Sequence, residues 1–304
     1  MGWLRPYSAF RCPFLLSLLL VVTFLPVASI AQTSTSASTG TFKFTGIDFP
    51  GGSRTRANGI NDAGAIVGDY LDSANVRHGY LLIGGVFTSF DVPHATETRG
   101  LTITNSGVIG GTFLDSSSNR HSYLLQKGNF TTLDFPGAAA TFLQGMNARS
   151  QIVGAYTDFA GHFHGFLLSE GDFTTIDFPG ATDTIGGCIN NQGQIVGAWG
   201  DASANTHGFV FSAGHFASFD DPKAFTTTQP SGISASREIV GFIDDDNGLL
   251  HGFILEGNNF TTVDFPGAVQ TTAARVNAVG QIVGTYNLAG QHGFLAIPRA
   301  SQAP

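Results

Sequence analysis

The sequence predicts an all-β protein built from six copies of one four-stranded unit. A phenylalanine opens equivalent segments that are 43 residues apart four times and 44 residues apart once. Every copy then carries an aspartate and a proline, a run close to IVG, and a histidine. The chain also contains 27 Phe and 40 Gly residues, and no stretch after residue 31 has a helical apolar period, which favours short strands and tight turns. The repeated phenylalanines are Phe44, Phe87, Phe130, Phe173, Phe216 and Phe260.

Each copy divides into four strand-sized segments. At the junction of the third and fourth copies they read LQGMN, QIVGAYTD, HGFLLS and FTTIDFP. Turns such as NDAG and SEGD supply the Asn, Asp and Gly residues that hairpins need. A four-stranded meander of about 43 residues, repeated six times, predicts a six-bladed β-propeller in which neighbouring blades bury each other's apolar faces. An open β-solenoid is the alternative.

The phase of the repeat predicts how the ring closes. Short hairpins join the four strands of a blade, and PGAxxT is the longer connection to the next blade. The last copy ends after its third strand (292–298), whereas the chain begins its first repeat with an orphan fourth strand (42–50). Pairing these two pieces would complete the last blade and remove its open edges. The propeller domain is therefore predicted to span 42–298.

The remaining segments predict an exported protein. Arg5 and Arg11 precede an apolar run, and small residues occupy the cleavage position before Gln32. This pattern indicates a secretory signal peptide (1–31), a linker (32–41) and a C-terminal tail (299–304). An N-terminal membrane anchor is the alternative. No second apolar run is long enough to span a membrane, so we expect a secreted, extracellular or periplasmic protein.

Charge and cysteine content narrow the classes of partner. The predicted mature chain has a net charge of about −10, which argues against nucleic acid or an anionic membrane as its partner. Its single cysteine, Cys188, allows no intramolecular disulfide and is expected to be a buried small side chain. We expect a monomer.

The repeated polar residues are interpreted as structural. A catalytic group is needed once, whereas the histidine and the aspartate of the DFP segment recur in every copy. A second aspartate lies six residues before the histidine in five copies, where it would cap a loop or orient the imidazole. A metal site in each copy is the alternative, although one Asp and one His are fewer ligands than zinc requires.

The segments GINDAGAIVGDY and RHGYLL, with INNQGQIVGAWG and THGFVF, resemble the HAF-repeat family of bacterial extracellular proteins. The resemblance covers nearly the whole predicted mature chain. Here, glycine or serine replaces the alanine after the histidine, and DFPG replaces the more usual DLG ending. The resemblance implies export and a repeat fold, and it brings no catalytic residues and no substrate.

Residues that break the pattern are the candidates for function. Five arginines fall in loops of the first two copies, all at one end of the predicted ring, with His94 and Glu97 nearby. Arginine forks suit carboxylate, sulfate or phosphate groups, so we predict an anionic-ligand site for an acidic polysaccharide or other cell-surface ligand. Solvated arginines paired with local carboxylates are the alternative. The five arginines are Arg54, Arg56, Arg77, Arg99 and Arg120.

Two weaker signals concern a metal and an aromatic residue. Asp244, Asp246 and Asn247 resemble part of a calcium loop but lack its distal glutamate, so calcium is a weak prediction beside a solvated acidic turn. No other cofactor is predicted. Trp199 is expected to be a packing residue rather than a platform for sugar stacking.

The sequence thus predicts a non-enzymatic binding or scaffold protein. The alternative is a carbohydrate-active propeller enzyme, a hydrolase or lyase, which needs carboxylates off the repeat pattern. Its candidates, Glu97, Asp183, Asp221 and Glu238, form no recognisable motif.

Overall fold

The computed structural model of the chain describes residues 36–39 and 41–299. They form 25 β-strands in six antiparallel sheets, and none of these residues is helical. Each sheet packs against the next and the sixth packs against the first, so the predicted six-bladed β-propeller is confirmed and the open solenoid is wrong. The predicted signal peptide (1–31) and all of the predicted tail beyond Arg299 lie outside the described residues.

Each blade runs from an inner to an outer strand in chain order. Blade 1 contains β3 (Ser53–Ile60), β4 (Ile66–Leu71), β5 (Arg77–Ile83) and β6 (Val86–Phe90). Blade 2 contains β7 (Glu97–Ile103), β8 (Ile109–Leu114), β9 (Arg120–Gln126) and β10 (Asn129–Leu133). Blade 3 contains β11 (Ala140–Met146), β12 (Ile152–Thr157), β13 (Phe163–Ser169) and β14 (Asp172–Thr175).

Blades 4 to 6 follow the same plan. Blade 4 contains β15 (Asp183–Ile189), β16 (Ile195–Gly200), β17 (Thr206–Ser212) and β18 (His215–Phe219). Blade 5 contains β19 (Thr228–Ile233), β20 (Ile239–Asp244), β21 (Leu250–Glu256) and β22 (Asn259–Thr262). Blade 6 contains β23 (Gln270–Val276), β24 (Ile282–Asn287) and β25 (Gln291–Pro298), and it is completed by β2 (Phe42–Ile47) and β1 (Ser36–Thr39).

The two ends of the repeat region meet in blade 6. Strand β2 pairs antiparallel with β25, with Phe42 opposite Pro298 and Ile47 opposite Gly293. Strand β1 in turn pairs with the outer edge of β2, so part of the predicted linker 32–41 is a strand. The short hairpin gives the backbone groups on that edge hydrogen-bond partners, which explains why the segment is ordered as a fifth strand.

The hydrophobic core is divided among the blade interfaces. Six clusters of buried residues each join two neighbouring blades, as when Ile47 and Phe49 from blade 6 pack with Tyr80 of blade 1. The aromatic residue two positions after each repeated histidine is fully buried. These residues are Tyr80, Tyr123, Phe166, Phe209, Phe253 and Phe294.

Each inner strand has a β-bulge at the same position. The extra residue of the bulge lies on the wall of a central cavity of about 210 Å³, towards which all six inner strands converge. A bulge bends its strand and frees backbone groups from the ladder. The bulged residues are Asn58, Leu101, Gln144, Gly187, Ser231 and Ala274.

Candidate functional site

Two sets of loops share one end of the ring, which we call the connection face. One set joins the second and third strands of each blade, such as 72–76, and the other links successive blades, such as 91–96. The two sets are tied together, because the backbone N–H of Thr96 donates to the carbonyl of Leu114 at 2.8 Å. The tight hairpins that follow the inner strands lie at the other end, the hairpin face.

Four of the five predicted arginines meet on the connection face at blades 1 and 2, but they lie in strands β3, β5, β7 and β9 and not in the predicted loops. Arg77 pairs with Asp69, a fully buried carboxylate that also accepts a hydrogen bond from Asn58 Nδ2 at 2.7 Å. The carboxylate of Glu97 lies 2.7 Å from Arg99 Nε and 3.1 Å from an Nη of Arg120. We call this network the arginine patch, and it consists of Arg56, Arg77, Arg99, Arg120, Asp69 and Glu97.

The arginine patch has more cations than anions. Arg77, Arg99 and Arg120 have carboxylate partners, as the alternative of locally paired arginines predicted, but Asp69 and Glu97 supply only two negative charges. Arg56 has no carboxylate within 4.0 Å in the described part of the chain and donates from Nε to Gln291 Oε1 at 2.9 Å.

The pKa values of Arg56 and Glu97 in the patch are both shifted downwards. Burial lowers the pKa of Arg56, and the neighbouring charges of Arg77 and Arg99 lower it further while Asp69 opposes them. Burial would raise the pKa of Glu97, but hydrogen bonds and charges from Arg99 and Arg120 bring it below its ordinary value. Glu97 is therefore held ionised, which suits ion pairing and not proton donation.

Two predicted members of the site lie apart from the patch. Arg54 is exposed and has a positive φ of 48°, and His94 is exposed with a φ of 66°. Neither contacts the arginine patch through a hydrogen bond or ion pair between described residues. His94 occupies the turn position at which most other copies have glycine, the residue that adopts a positive φ most readily.

Sequence reasoning missed three polar members of this region, Asn58, Asp69 and Gln291. Asp69 lies opposite Arg56 on the neighbouring strand, where the other copies have Thr, Ala or Phe. This departure from the repeat could have identified Asp69 as a candidate site residue from the sequence. Asn58 is the bulged residue of its strand, and Gln291 reaches the patch only because the ring closes, so neither carried a signal in the linear sequence.

Aromatic side chains border the patch on the side of blade 3. The guanidinium of Arg120 lies 6.0 Å above the ring of Phe142, and that ring is 5.6 Å from Phe163. A cation held over an aromatic face keeps its orientation at little entropic cost. The patch thus combines charged forks with an apolar edge.

The repeated histidines join segments of the chain within single blades. In blade 3, His164 Nδ1 lies 2.8 Å from Asp177 Oδ2, and Nε2 lies 3.7 Å from Asp158 Oδ2. The Asp158 carboxylate also accepts the N–H of Ala160 and closes the loop. The same arrangement recurs in the first five blades, so the predicted structural role of these residues is confirmed.

The residue after the DFP aspartate links one blade to the next. Phe135 follows blade 2, and its ring stacks on Tyr156 of blade 3 at 3.8 Å, with His164 on the other face of that tyrosine. Its backbone N–H donates to Thr141 Oγ1 at 2.9 Å. Trp199 occupies the tyrosine position in blade 4 between Phe178 and His207, as expected for a packing residue.

The predicted calcium ligands have separate partners. Asp244 accepts hydrogen bonds from the backbone of Thr226 and Thr227, while Asp246 accepts one from Asn247 Nδ2 at 2.8 Å. Across residues 36–39 and 41–299 no group of three or more His, Cys, Asp and Glu side chains is placed to hold a metal ion. Calcium binding by Asp244, Asp246 and Asn247 stays a prediction.

The off-pattern carboxylates do not form a pair. Glu97 belongs to the arginine patch, and Asp183 in blade 4 accepts the backbone N–H of Phe163 at 2.8 Å. Asp221 caps the turn after blade 4, and Glu238 lies at the hairpin face of blade 5. They occupy four separate places around the ring. Cys188 is buried, as expected.

One arginine lies at the centre of the ring. Arg275, which interrupts the small residues of the inner strands, extends into the central cavity and donates to backbone carbonyls of four blades. No helix within the described residues could cross a membrane.

Comparison with known proteins supports the fold. No protein-family model matches the chain, and no curated protein matches it significantly. Among solved structures, the chain is similar to a triple mutant of AofleA from Arthrobotrys oligospora (12% identity, TM-score 0.54, 85% of this chain and 88% of that one). It is also similar to an Aleuria aurantia lectin in complex with Fucα1-6GlcNAc (11%, 0.53, 84% and 98%). A third similar structure is XC5397, a gluconolactonase from Xanthomonas campestris (11%, 0.53, 91% and 98%). At these identities the likeness shows a shared propeller architecture.

Proposed function

We propose that this protein is an exported, non-enzymatic binding module that recognises an anionic carbohydrate with the arginine patch. The observation that carries the proposal is the excess of guanidinium groups over carboxylates at one place on an otherwise acidic chain. Export follows from the predicted signal peptide, and membership of the HAF-repeat family remains part of the proposal.

The free hydrogen-bond donors of the patch support an anionic ligand. Arg56 and Arg99 use Nε for their partners, and their terminal nitrogens make no hydrogen bond within the described residues. Two such forks beside each other match the planar oxygens of a carboxylate or the oxygens of a sulfate. Because Arg56 is partly buried, an incoming anion would also relieve the repulsion among the arginines.

A carbohydrate fits the surroundings of the patch better than a small free anion. The rings of Phe142 and Phe163 give one side of the site an apolar surface on which the C–H face of a sugar ring can pack. The lectin that shares the fold was solved with a fucose-containing disaccharide, which shows that a propeller of this size can bind sugars. The patch residues lie in strands β3, β4, β5, β7 and β9, so the backbone of the ring holds them in place.

The test is binding of the predicted mature chain, residues 32–304, to oligogalacturonate, heparin oligosaccharides and neutral dextran, measured by calorimetry. We expect binding of an acidic glycan and none of dextran. The double variant Arg56→Ala/Arg99→Ala should weaken binding at least about 100-fold, since each hydrogen bond to a charged group is worth about 1.5–3 kcal/mol.

The matched control removes the same charge elsewhere. Arg149 and Arg237 are exposed on the hairpin face, so Arg149→Ala/Arg237→Ala lowers the net charge equally without touching the patch. The control should retain affinity. Equal weakening in both double variants would mean that overall charge attracts the glycan, and the proposed site would be wrong.

A further inference from the structure

The repeat is broken a second time between blades 4 and 5, on the same connection face. A cleft of about 440 Å³ opens there, lined by Ile185, Ala198, Trp199, Gly200, Thr206 and Gln229. We call it the Gly200 cleft. Its lining positions are the register equivalents of the arginine patch, so the two features occupy the same kind of place at different blade interfaces.

The equivalence can be read from the strand pairing. Arg56 lies opposite Asp69 in blade 1, and Ile185 lies opposite Ala198 in blade 4. The third strands begin at Arg77 in blade 1 and at Thr206 in blade 4, and Arg99 in blade 2 corresponds to Gln229 in blade 5. Smaller or uncharged residues thus replace the patch residues one for one. The replacement leaves a cleft where the patch has side chains.

Gly200 contributes directly to the opening. The equivalent residues in blades 1 and 2 are Leu71 and Leu114, and in blade 3 it is Thr157. A Cβ at Gly200 would meet Thr182 Oγ1 at 2.9 Å, and the other atoms near it lie 3.9 Å away. A larger residue at this position therefore requires the Thr182 hydroxyl to shift, and glycine keeps this part of the cleft wall free of a side chain.

The segment that carries the one-residue insertion of the repeat contacts the edge of the cleft at Thr206. The extra residue lies in the connection between blades 4 and 5, and the N–H of Thr206 donates to the carbonyl of Thr226 at 2.8 Å. An isolated parallel bridge joins Thr206 to Thr227, and Asp244 accepts the backbone N–H groups of Thr226 and Thr227. The inserted segment is thus fixed in place, and the cleft is preformed.

The chemistry of the cleft suits an uncharged hydroxylated ligand. The side-chain amide of Gln229 makes no hydrogen bond within the described residues, and Asp183 uses only Oδ1, for the backbone N–H of Phe163. Ile185 and Ala198 supply an apolar floor. No arginine or lysine lines the cleft, and Asp183 and Asp201 would repel an anion. A neutral sugar unit offers the hydroxyl groups and the apolar ring face that these residues would contact.

We infer that the Gly200 cleft is a second subsite, which binds a neutral sugar unit of the same glycan whose anionic unit binds the arginine patch. This inference rests on the proposed function. Blades 1 and 4 are opposite each other in a ring of six, so a chain occupying both sites would cross the central mouth of the connection face. The favoured substrate class is a glycan in which acidic and neutral units alternate.

The test compares two acidic probes by calorimetry. Hyaluronan oligosaccharides alternate glucuronate with a neutral N-acetylhexosamine, whereas oligogalacturonate contains uronate only. Gly200→Leu fills the cleft with the side chain that blades 1 and 2 carry, and Ala198→Phe fills it with the residue of blade 5. Each variant should bind hyaluronan oligosaccharides at least tenfold more weakly, with its affinity for oligogalacturonate unchanged.

A control variant and the possible outcomes distinguish the second subsite from the proposed function. Thr157→Leu makes the equivalent change in blade 3 and should alter neither affinity, and thermal melting checks that each variant folds. If Arg56→Ala/Arg99→Ala abolishes binding while both cleft variants bind like the parent chain, the second subsite is wrong and the proposed function stands. Loss of affinity for both probes in Gly200→Leu would also overturn it. If the parent chain binds neither of these probes nor heparin oligosaccharides, the proposed function and the subsite both fail.

Discussion

The guanidinium of Arg275 in blade 6 donates a hydrogen bond to the carbonyl of Gly187 in blade 4, 3.2 Å away across the central cavity. The same side chain also donates to carbonyls of Gln144, Ser231 and Ala274, so it contacts four inner strands. All four acceptors are bulged residues, whose carbonyls are not committed to the sheet ladder. The positive charge of Arg275 thus neutralises the carbonyl dipoles that point into the central cavity.

Replacing this side chain should destabilise the ring and leave a site that an added cation can fill. We expect Arg275→Ala to lower the free energy of unfolding by at least about 3 kcal/mol, because several buried hydrogen bonds to a charged group are lost at about 1.5–3 kcal/mol each. Methylguanidinium at millimolar concentration should raise the melting temperature of the variant and leave that of the parent chain unchanged. A variant as stable as the parent, with no response to methylguanidinium, would contradict this role.

The stacked aromatic pairs between blades should carry much of the stability. Phe265 follows blade 5, is almost fully buried, and stacks on Tyr286 of blade 6 with ring centroids 3.6 Å apart. We expect Phe265→Ala to cost about 3–5 kcal/mol in urea unfolding, as for other buried aromatic truncations. Phe159 is 87% exposed on a loop, so Phe159→Ala is the matched control and should cost less than about 0.5 kcal/mol. Similar losses in the two variants would refute the interblade role.

The histidine and aspartate pairs should make stability depend on pH in two directions. Hydrogen bonds to the carboxylates of Asp177 and Asp264 raise the folded-state pKa of His164 and His251. The pKa values of His121 and His207 are also raised, although burial alone would lower them. A histidine whose pKa is raised on folding stabilises the folded state fully at a pH below its ordinary pKa of 6.5. This stabilisation is lost as the pH rises through the folded-state pKa.

The loop aspartates act in the opposite sense. Hydrogen bonds from backbone N–H groups lower the pKa of Asp158 and Asp245 below 3.8. These aspartates therefore stabilise the folded state at a pH above 3.8, and the stabilisation is lost as the pH falls through the folded-state pKa. Melting temperatures measured across the pH range should therefore be highest in mild acid, around pH 5. The double variant His164→Asn/His207→Asn should flatten the decline above pH 6, while His215→Ala, an exposed histidine outside the pairs, should not. A parent chain that is most stable at pH 8 would contradict the linkage.

The fold could be predicted because its determinants are local and repeated. The DFP aspartate and the histidine stand 13 positions apart in the first five blades, and each meets its partner inside one sheet. The phase of the repeat also predicted that β2 would complete blade 6. The strand β1 was missed because Ser, Ala and Thr residues carry no alternating apolar pattern there.

The candidate site was harder to predict because its contacts depend on which blades become neighbours. The clustering of Arg56, Arg77 and Arg99 followed from their common place in adjacent copies, but their balance against Asp69 and Glu97 required side-chain geometry. Arg56 contacts Gln291 across 235 positions of sequence, a pairing that only ring closure creates. The Gly200 cleft exists because small residues replace larger ones, and a search for sequence motifs does not detect such a replacement.

The closure of the ring predicts different outcomes for two truncations. A chain beginning at residue 51 lacks β1, β2 and the buried Phe44, Ile47 and Phe49, and it leaves the edge of β25 unpaired. We expect it to melt at a much lower temperature and to aggregate in size-exclusion chromatography, because an open strand edge and an uncovered apolar face both promote association. A chain beginning at Thr41 removes only β1 and should stay close to the parent in both measurements. If the chain from residue 51 remained as stable and as monodisperse as the chain from Thr41, β2 would not be the strand that closes the propeller.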